Sequence, residues 1–137
     1  LSMSAHSKRK KLKARSEHGA FSALPKAVIA KMQEKLAPVG YKLLIDLYEQ
    51  YNGNNNGDLT LAWSVMNQKG WKSKDTLNNA RKELINQGFI ELTRQGTLRP
   101  HSCSLYAVTW IGIDECEGKL ELKPTATGSG SWRTVQK

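Results

Sequence analysis

Two cysteines in 137 residues, and no long apolar run, remove several classes of protein at once. Cys103 and Cys116 are too few for a disulfide scaffold, and the twelve residues between them match no paired metal motif without two more ligands, so both read as free thiols. A membrane span needs roughly 18 consecutive apolar residues, and none is present. No apolar stretch follows the basic N-terminus as a secretory signal requires. The expectation is a cytoplasmic chain without membrane contact. A phosphate-binding glycine loop of the P-loop type is missing as well, and no catalytic motif stands out, which predicts a non-enzyme with no cofactor. Acidic residues are scarce: 12 Asp and Glu face 21 Lys and Arg, a net charge of +9 on a length suited to one domain with tails.

That charge is concentrated. Residues 1–19 hold Lys8, Arg9, Lys10, Lys11, Lys13 and Arg15 against Glu17, a net +5, with few apolar residues. Residues 20–68 are neutral, with four basic and four acidic side chains, and residues 100–137 balance in the same way. Residues 69–99 carry seven basic side chains (Lys69, Lys72, Lys74, Arg81, Lys82, Arg94, Arg99) against Asp75, Glu83 and Glu91, a net +4. One arm and one segment therefore hold the whole excess. That is the electrostatic footprint of a polyanion binder, provided the fold gathers the segment on one face; the alternative is a solvated surface with a solubilising tail.

The arm up to Gly19 buries too little apolar area to order itself. A first helix is expected from about Pro25 to Leu36, with Val28, Met32 and Leu36 as its stripe, because Pro at a first turn removes only an N–H that has no helical partner. Pro38 ends it. A second helix follows, with Tyr41, Leu44, Tyr48 and Tyr51 on one face, closed by Asn52-Gly53. The run from Asn52 to Asp58 is turn chemistry, and Asp58 to Leu61 reads as a very short strand. Thr60 is a candidate cap for a short third helix through Lys69 with Leu61 and Val65 inward, ended by Gly70. Ser73 caps a fourth helix, Lys74 to Gln87, closed by Gly88. At about 100° per residue, Leu77, Ala80 and Leu84 fall on one side of it and Asp75, Asn78, Asn79, Lys82 and Asn86 on the other. Lys74, Arg81 and Ile85 lie at the boundary. Phe89 to Thr93 and Ser104 to Ile111 read as two strands of a hairpin with a basic loop, Arg94 to His101. Lys119 to Lys123 alternates like an edge strand, and Thr125 to Ser131 reads as a small-residue linker. The divisions are a disordered basic arm (1–19), a domain (20–112) and a C-terminal extension (113–137).

This order of elements predicts an α+β fold, a winged helix-turn-helix with an extra N-terminal helix. The B-DNA major groove admits one α-helix, so a reader presents the outer face of the second helix of the turn pair to base edges. Asn pairs bidentately with adenine, Lys with guanine acceptors, and Asp accepts from cytosine. Lys72, Ser73 and Lys74 add phosphate contacts where free N–H groups and the positive dipole end point outward. Arg94 and Arg99 suit a flanking phosphate or the minor groove. The candidates are thus Lys72, Ser73, Lys74, Asn78, Asn79, Arg81 and Lys82 on the helix and Arg94 and Arg99 on the wing. Lys8, Arg9, Lys10 and Lys11 join them from the arm, which either follows phosphates or serves only solubility or localisation.

Asn55-Asn-Gly-Asp-Leu59, Gly70-Trp-Lys-Ser-Lys-Asp-Thr-Leu77, Ala80-Arg-Lys-Glu-Leu84, Gly88-Phe-Ile90, Thr93-Arg-Gln-Gly96 and Ser104-Leu-Tyr-Ala-Val-Thr-Trp110 resemble the winged helix-turn-helix proteins of bacterial prophages and mobile elements. They are similar to the N-terminal DNA-binding modules of phage and plasmid replication proteins. The likeness spans roughly residues 19–132. It implies a bacterial, nucleoid-associated protein that binds double-stranded DNA in replication initiation or transcriptional regulation, with replication proteins as possible partners and a homodimer as a possible state. It also implies Lys74, Asn78 and Lys82 as helix contacts and Arg94 as a wing contact. Asp75 departs from this, since its charge could serve only the helix dipole.

Other sites are weaker. Asn52, Asn54, Asn56 and Gly57 mimic an EF-hand start, but the position that must be a bidentate Glu is Trp63. His101, Cys103, Cys116 and His18 have irregular spacing for zinc, and a Cys-His nucleophile lacks an orienting acid, so no metal is expected. Trp63 and Trp110 read as core, while Trp71 stays open as a base-stacking platform. The rival readings are RNA binding by the same basic face, a protein-interaction module without nucleic-acid readout, and a metal-dependent hydrolase.

Overall fold

In the computed structural model, which describes residues 19–99 and 102–134, Pro25 turns the chain into the first helix, α1, Lys26–Lys35. Val28 and Met32 are buried on it, and Leu36 packs at the margin of the same cluster. Ala37 then begins α2, Pro38–Tyr48, with proline in the first turn, where its missing N–H costs nothing. Its buried face is Gly40, Leu43, Leu44, Leu47 and Tyr48. Tyr41 and Tyr51, expected inside, are half-buried at the edge, because the i, i+3, i+4, i+7 stripe runs through Leu43, Leu44 and Leu47, one step round the wheel.

Strand β1, Leu59–Thr60, leads into the short helix α3, Trp63–Met66, which tightens into a 3₁₀ turn, Asn67–Lys69. Thr60 does not cap that helix. It belongs to the strand, and its Oγ1 accepts from the Ala62 N–H at 3.1 Å, turning the chain before Trp63. Gly70 adopts φ 92°, the left-handed conformation that ends such a turn. Trp71, left open as a platform, is buried: its Nε1 donates to Asp46 Oδ2 at 2.8 Å and the Lys42 ammonium stands 5.2 Å from its ring centre. Trp63 and Trp110 are only half-buried against the core.

α4, Lys74–Asn86, buries Leu77, Ala80 and Leu84 and packs on α2. The close approach leaves a trace at Gly40, where an added Cβ would lie 2.2 Å from Glu83 Oε1. The same carboxylate accepts from the Ala37 N–H at 3.3 Å, a negative group at the positive end of α2. The chain then forms β2, Ile90–Arg94, and β3, Leu105–Val108. All pairings are antiparallel, in the order β1-β3-β2. The register slips between Leu92 and Arg94, so Thr93 sits in a bulge; it is buried and donates through Oγ1 to the Gly57 carbonyl at 2.6 Å. β3, in the middle, is buried at every residue. Tyr106 and Val108 join the main core, and Leu105 and Ala107 are buried on the opposite face.

The C-terminal extension is part of this body. Lys119 to Lys123 forms no strand, contrary to its alternation; Glu121 instead makes one backbone bond to Thr93 O (2.8 Å) and accepts from Gln95 N through Oε1 (2.8 Å). Thr125 to Ser131, expected as a linker, lies against the domain: Gly130 N donates to Thr109 O at 2.9 Å, and a Cβ on Gly128 would lie 2.4 Å from that carbonyl. Trp132 is buried in the main core, held by Lys35 Nζ on its carbonyl at 2.9 Å. Only packing reveals this, since glycine, serine and threonine are also what a linker is made of.

The result is an α+β fold with four α-helices and a three-stranded antiparallel sheet among the described residues, compatible with a winged-helix layout. No helix among them is long and apolar enough to cross a membrane.

Candidate nucleic-acid interface

Ser73, with extended backbone (φ −127°), caps α4 as its sequence predicts: its Oγ accepts from the Thr76 N–H at 3.2 Å. The same hydroxyl therefore already has a role in the fold. Lys72, Ser73, Lys74, Asp75, Asn78, Asn79 and Lys82 are all exposed, and Arg81 is half-buried, the boundary place its position on the wheel predicts. Lys74 leans toward α3, its ammonium 5.8 Å from the Trp63 ring centre, so the first turn of α4 and the start of α3 are bridged by a cation over an indole.

One pair escapes a reading of the wheel alone. Arg81 Nε and Nη2 both reach Asn78 Oδ1, at 3.1 and 2.6 Å. The i, i+3 spacing was the available signal. With its oxygen engaged by the guanidinium, the exposed Asn78 has Nδ2, a donor, as the remaining hydrogen-bonding group of its amide. The adenine pairing expected of Asn78 needs both its oxygen and its nitrogen. As folded, the Asn78–Arg81 pair offers donors only, which suits the N7 and O6 acceptors of guanine.

The wing candidates differ from each other. Arg99 is exposed in the hairpin loop. Arg94 is half-buried at the base: Nη2 donates to Cys103 O at 2.9 Å across the hairpin and Nε is buried without a partner. Arg94 is thus partly a brace of the wing. Lys8, Arg9, Lys10 and Lys11 lie outside the described residues.

The electrostatics are uneven. The ion pairs among the described residues are Lys31–Glu34, Lys42–Asp46, Lys69–Glu49 and Lys119–Asp58. None takes a cation from residues 72–99, so Lys72, Lys74, Arg81, Lys82, Arg94 and Arg99 have no ion-pair partner among the described residues. Glu83 is turned away to α2, and burial pushes the Glu91 carboxyl above its ordinary range.

The set-aside sites have structural uses. Asn52 Oδ1 accepts from Asn54 N (2.9 Å) and Asn55 Oδ1 from Asn52 N (2.8 Å), so these oxygens serve the loop itself. Asn56 is fully buried: its Nδ2 lies within 3.0–3.1 Å of the carbonyls of Val108, Ile111 and Gly112, and Oδ1 accepts from Val108 N at 2.9 Å. Among the described residues no three His, Cys, Asp or Glu side chains gather in a metal-binding cluster; His18 and His101 are outside them. Cys103 is exposed, and burial followed by the charges of Asp58 and Asp114 pushes the Cys116 thiol up.

No protein-family model matches this chain, and no curated protein or solved structure matches it either.

Proposed function

We propose that this chain is a winged-helix protein that binds double-stranded DNA sequence-specifically, with α4 in the major groove and the β2–β3 hairpin on the flanking backbone or minor groove. The observation that carries the reading is the set of cations from Lys72 to Arg99 without ion-pair partners, on the second helix of a helix-turn-helix-like pair and on the hairpin that follows it, beside a sheet ordered β1-β3-β2. Of the seven cations of residues 69–99 only Lys69 is ion-paired, with Glu49, against three of the seven other cations among the described residues, Lys31, Lys42 and Lys119. The Asn78–Arg81 pair supports a preference for guanine where this face meets the bases. The biological setting we propose is replication initiation or transcriptional control of a prophage or plasmid-like element, in the bacterial cytoplasm, without enzymatic activity of its own.

The test is selection of bound duplexes from a random pool, with a Lys74→Ala, Asn78→Ala, Lys82→Ala variant alongside. An enriched, guanine-containing motif that the variant fails to recover supports direct readout by α4, and a palindromic motif supports a homodimer. Equal binding by both proteins without enrichment, or preference for structured RNA, overturns it. No nucleic-acid binding at all supports a protein-interaction role with replication partners instead. Affinity falls with salt, with a slope near −0.9 per phosphate neutralised, and Lys72→Ala lowers the slope by about 1 without changing the motif.

A further inference from the structure

Leu98 stands out among the apolar side chains. Its relative exposure is 105%, complete, whereas the next most exposed large apolar residue among the described ones, Phe21, reaches 58%. Isolated exposed leucines are common on protein surfaces and by themselves mean little. Three further observations distinguish this one.

The first is that the loop beneath it is closed by its own hydrogen bonds. Thr97 N donates to Ser102 O at 2.8 Å, Ser102 N to Arg99 O at 3.3 Å, and the Thr97 and Ser102 hydroxyls lie 2.5 Å apart. Gly96 N donates to Ser104 Oγ at 2.9 Å, and a Cβ on Gly96 would lie 2.6 Å from Ser104 N, so the two sides of the loop are pressed together where it leaves the sheet. Leucine is thus presented on a braced tip.

The second is charge. Arg99 is the next residue, Arg94 braces the base, and no acidic residue occurs in the sequence from Leu92 to Ile113. Glu121, whose carboxylate reaches the hairpin base, is turned to accept the Gln95 N–H. The third is isolation. A protein partner needs a contiguous apolar patch, and among the described residues of the tip Leu98 is the one apolar side chain, with Thr97, Arg99 and Ser102 around it in sequence. A minor-groove wedge needs only that: one apolar group to enter a base step and cations to hold the phosphates on either side.

We propose that Leu98 is an apolar wedge that enters the minor groove of bound duplex DNA, partly unstacks one base step and bends the helix there. The inference rests on the DNA-binding reading above. Pyrimidine–purine steps unstack most readily, so the wedge favours TA or CA steps at a fixed distance from the bases read by α4, and specificity extends to base pairs that no polar side chain touches.

The experiment uses the full chain and a duplex of about 30 base pairs with a central run of TA steps and 2-aminopurine in place of one central adenine. Binding is followed by anisotropy and unstacking by 2-aminopurine fluorescence. Wild type is expected to raise the fluorescence about twofold or more on saturation. Leu98→Ala still binds at low salt, within about tenfold of wild type, but abolishes the rise, while Leu98→Met keeps it. Since Leu98 is fully exposed, both variants keep the wild-type melting temperature. A saturated wild-type complex with flat fluorescence, or an equal rise with Leu98→Ala, overturns the wedge and leaves the DNA-binding reading standing. No anisotropy change with wild type overturns both.

Discussion

At the residue scale, the buried polar side chains carry more of the fold than their number suggests. Asn56 ties the turn before β1 to the end of β3 from both ends of its amide, and its backbone exchanges a further pair of bonds with Asp114, at 2.7 and 2.9 Å. Asn56→Ala strands the Val108 N–H and several carbonyls in a dry place. It should cost about 3 kcal/mol, a fall of roughly 10 °C in melting temperature, whereas the exposed Asn54→Ala stays within about 0.5 kcal/mol; thermal unfolding of both variants checks this. Glu91 provides a pH handle. Burial raises its pKa, so the folded chain holds that proton more tightly than the unfolded chain does. The ionised carboxylate is therefore a cost to the fold above the folded pKa, and the cost fades as pH falls through it. Glu91→Gln should raise the melting temperature slightly at pH 7, and the gain should vanish toward about pH 4.

At the element scale, α4 is specified from both ends. Ser73 caps it and Gly88 follows it at φ 80°. Gly88 serves a second end, since a Cβ there would lie 2.3 Å from the Ser131 carbonyl. Gly88→Ala thus combines left-handed backbone strain of about 1–2 kcal/mol with displacement of the segment carrying Trp132. We expect loss of stability together with faster proteolysis around residues 125–134 than elsewhere, read by limited digestion and mass spectrometry. Strain alone, without release of that segment, would leave the cleavage pattern unchanged.

At the scale of the whole molecule, the extension closes the structure. Trp132 sits in the same core as Val28, Leu84 and Phe89, and Lys35 on α1 bonds the carbonyls of both Trp132 and Thr134. Trp132→Ala should cost about 3–5 kcal/mol, as for a large core aromatic. Trp132→Phe should cost far less, because the indole Nε1 is buried without a partner and its removal relieves that group. Comparable small losses for the two variants in denaturant unfolding would show that the segment is a linker after all.

Local signals in the chain were enough for the helices, the Ser73 cap, the Gly70 and Gly88 stops and the inward stripe of α4, because each depends on neighbours within one turn. The segregation of charge into residues 69–99 was equally legible, as it is simple addition along the sequence. Tertiary structure alone decided that Trp71 is core, that the extension forms no strand and docks on α1, that Arg94 braces the hairpin and that Leu98 is left in the open. These depend on which distant groups meet. A run of small residues, a tryptophan in a turn and an arginine on a loop have the same local chemistry whether they pack or not, and only the assembled core determines which of them water still reaches.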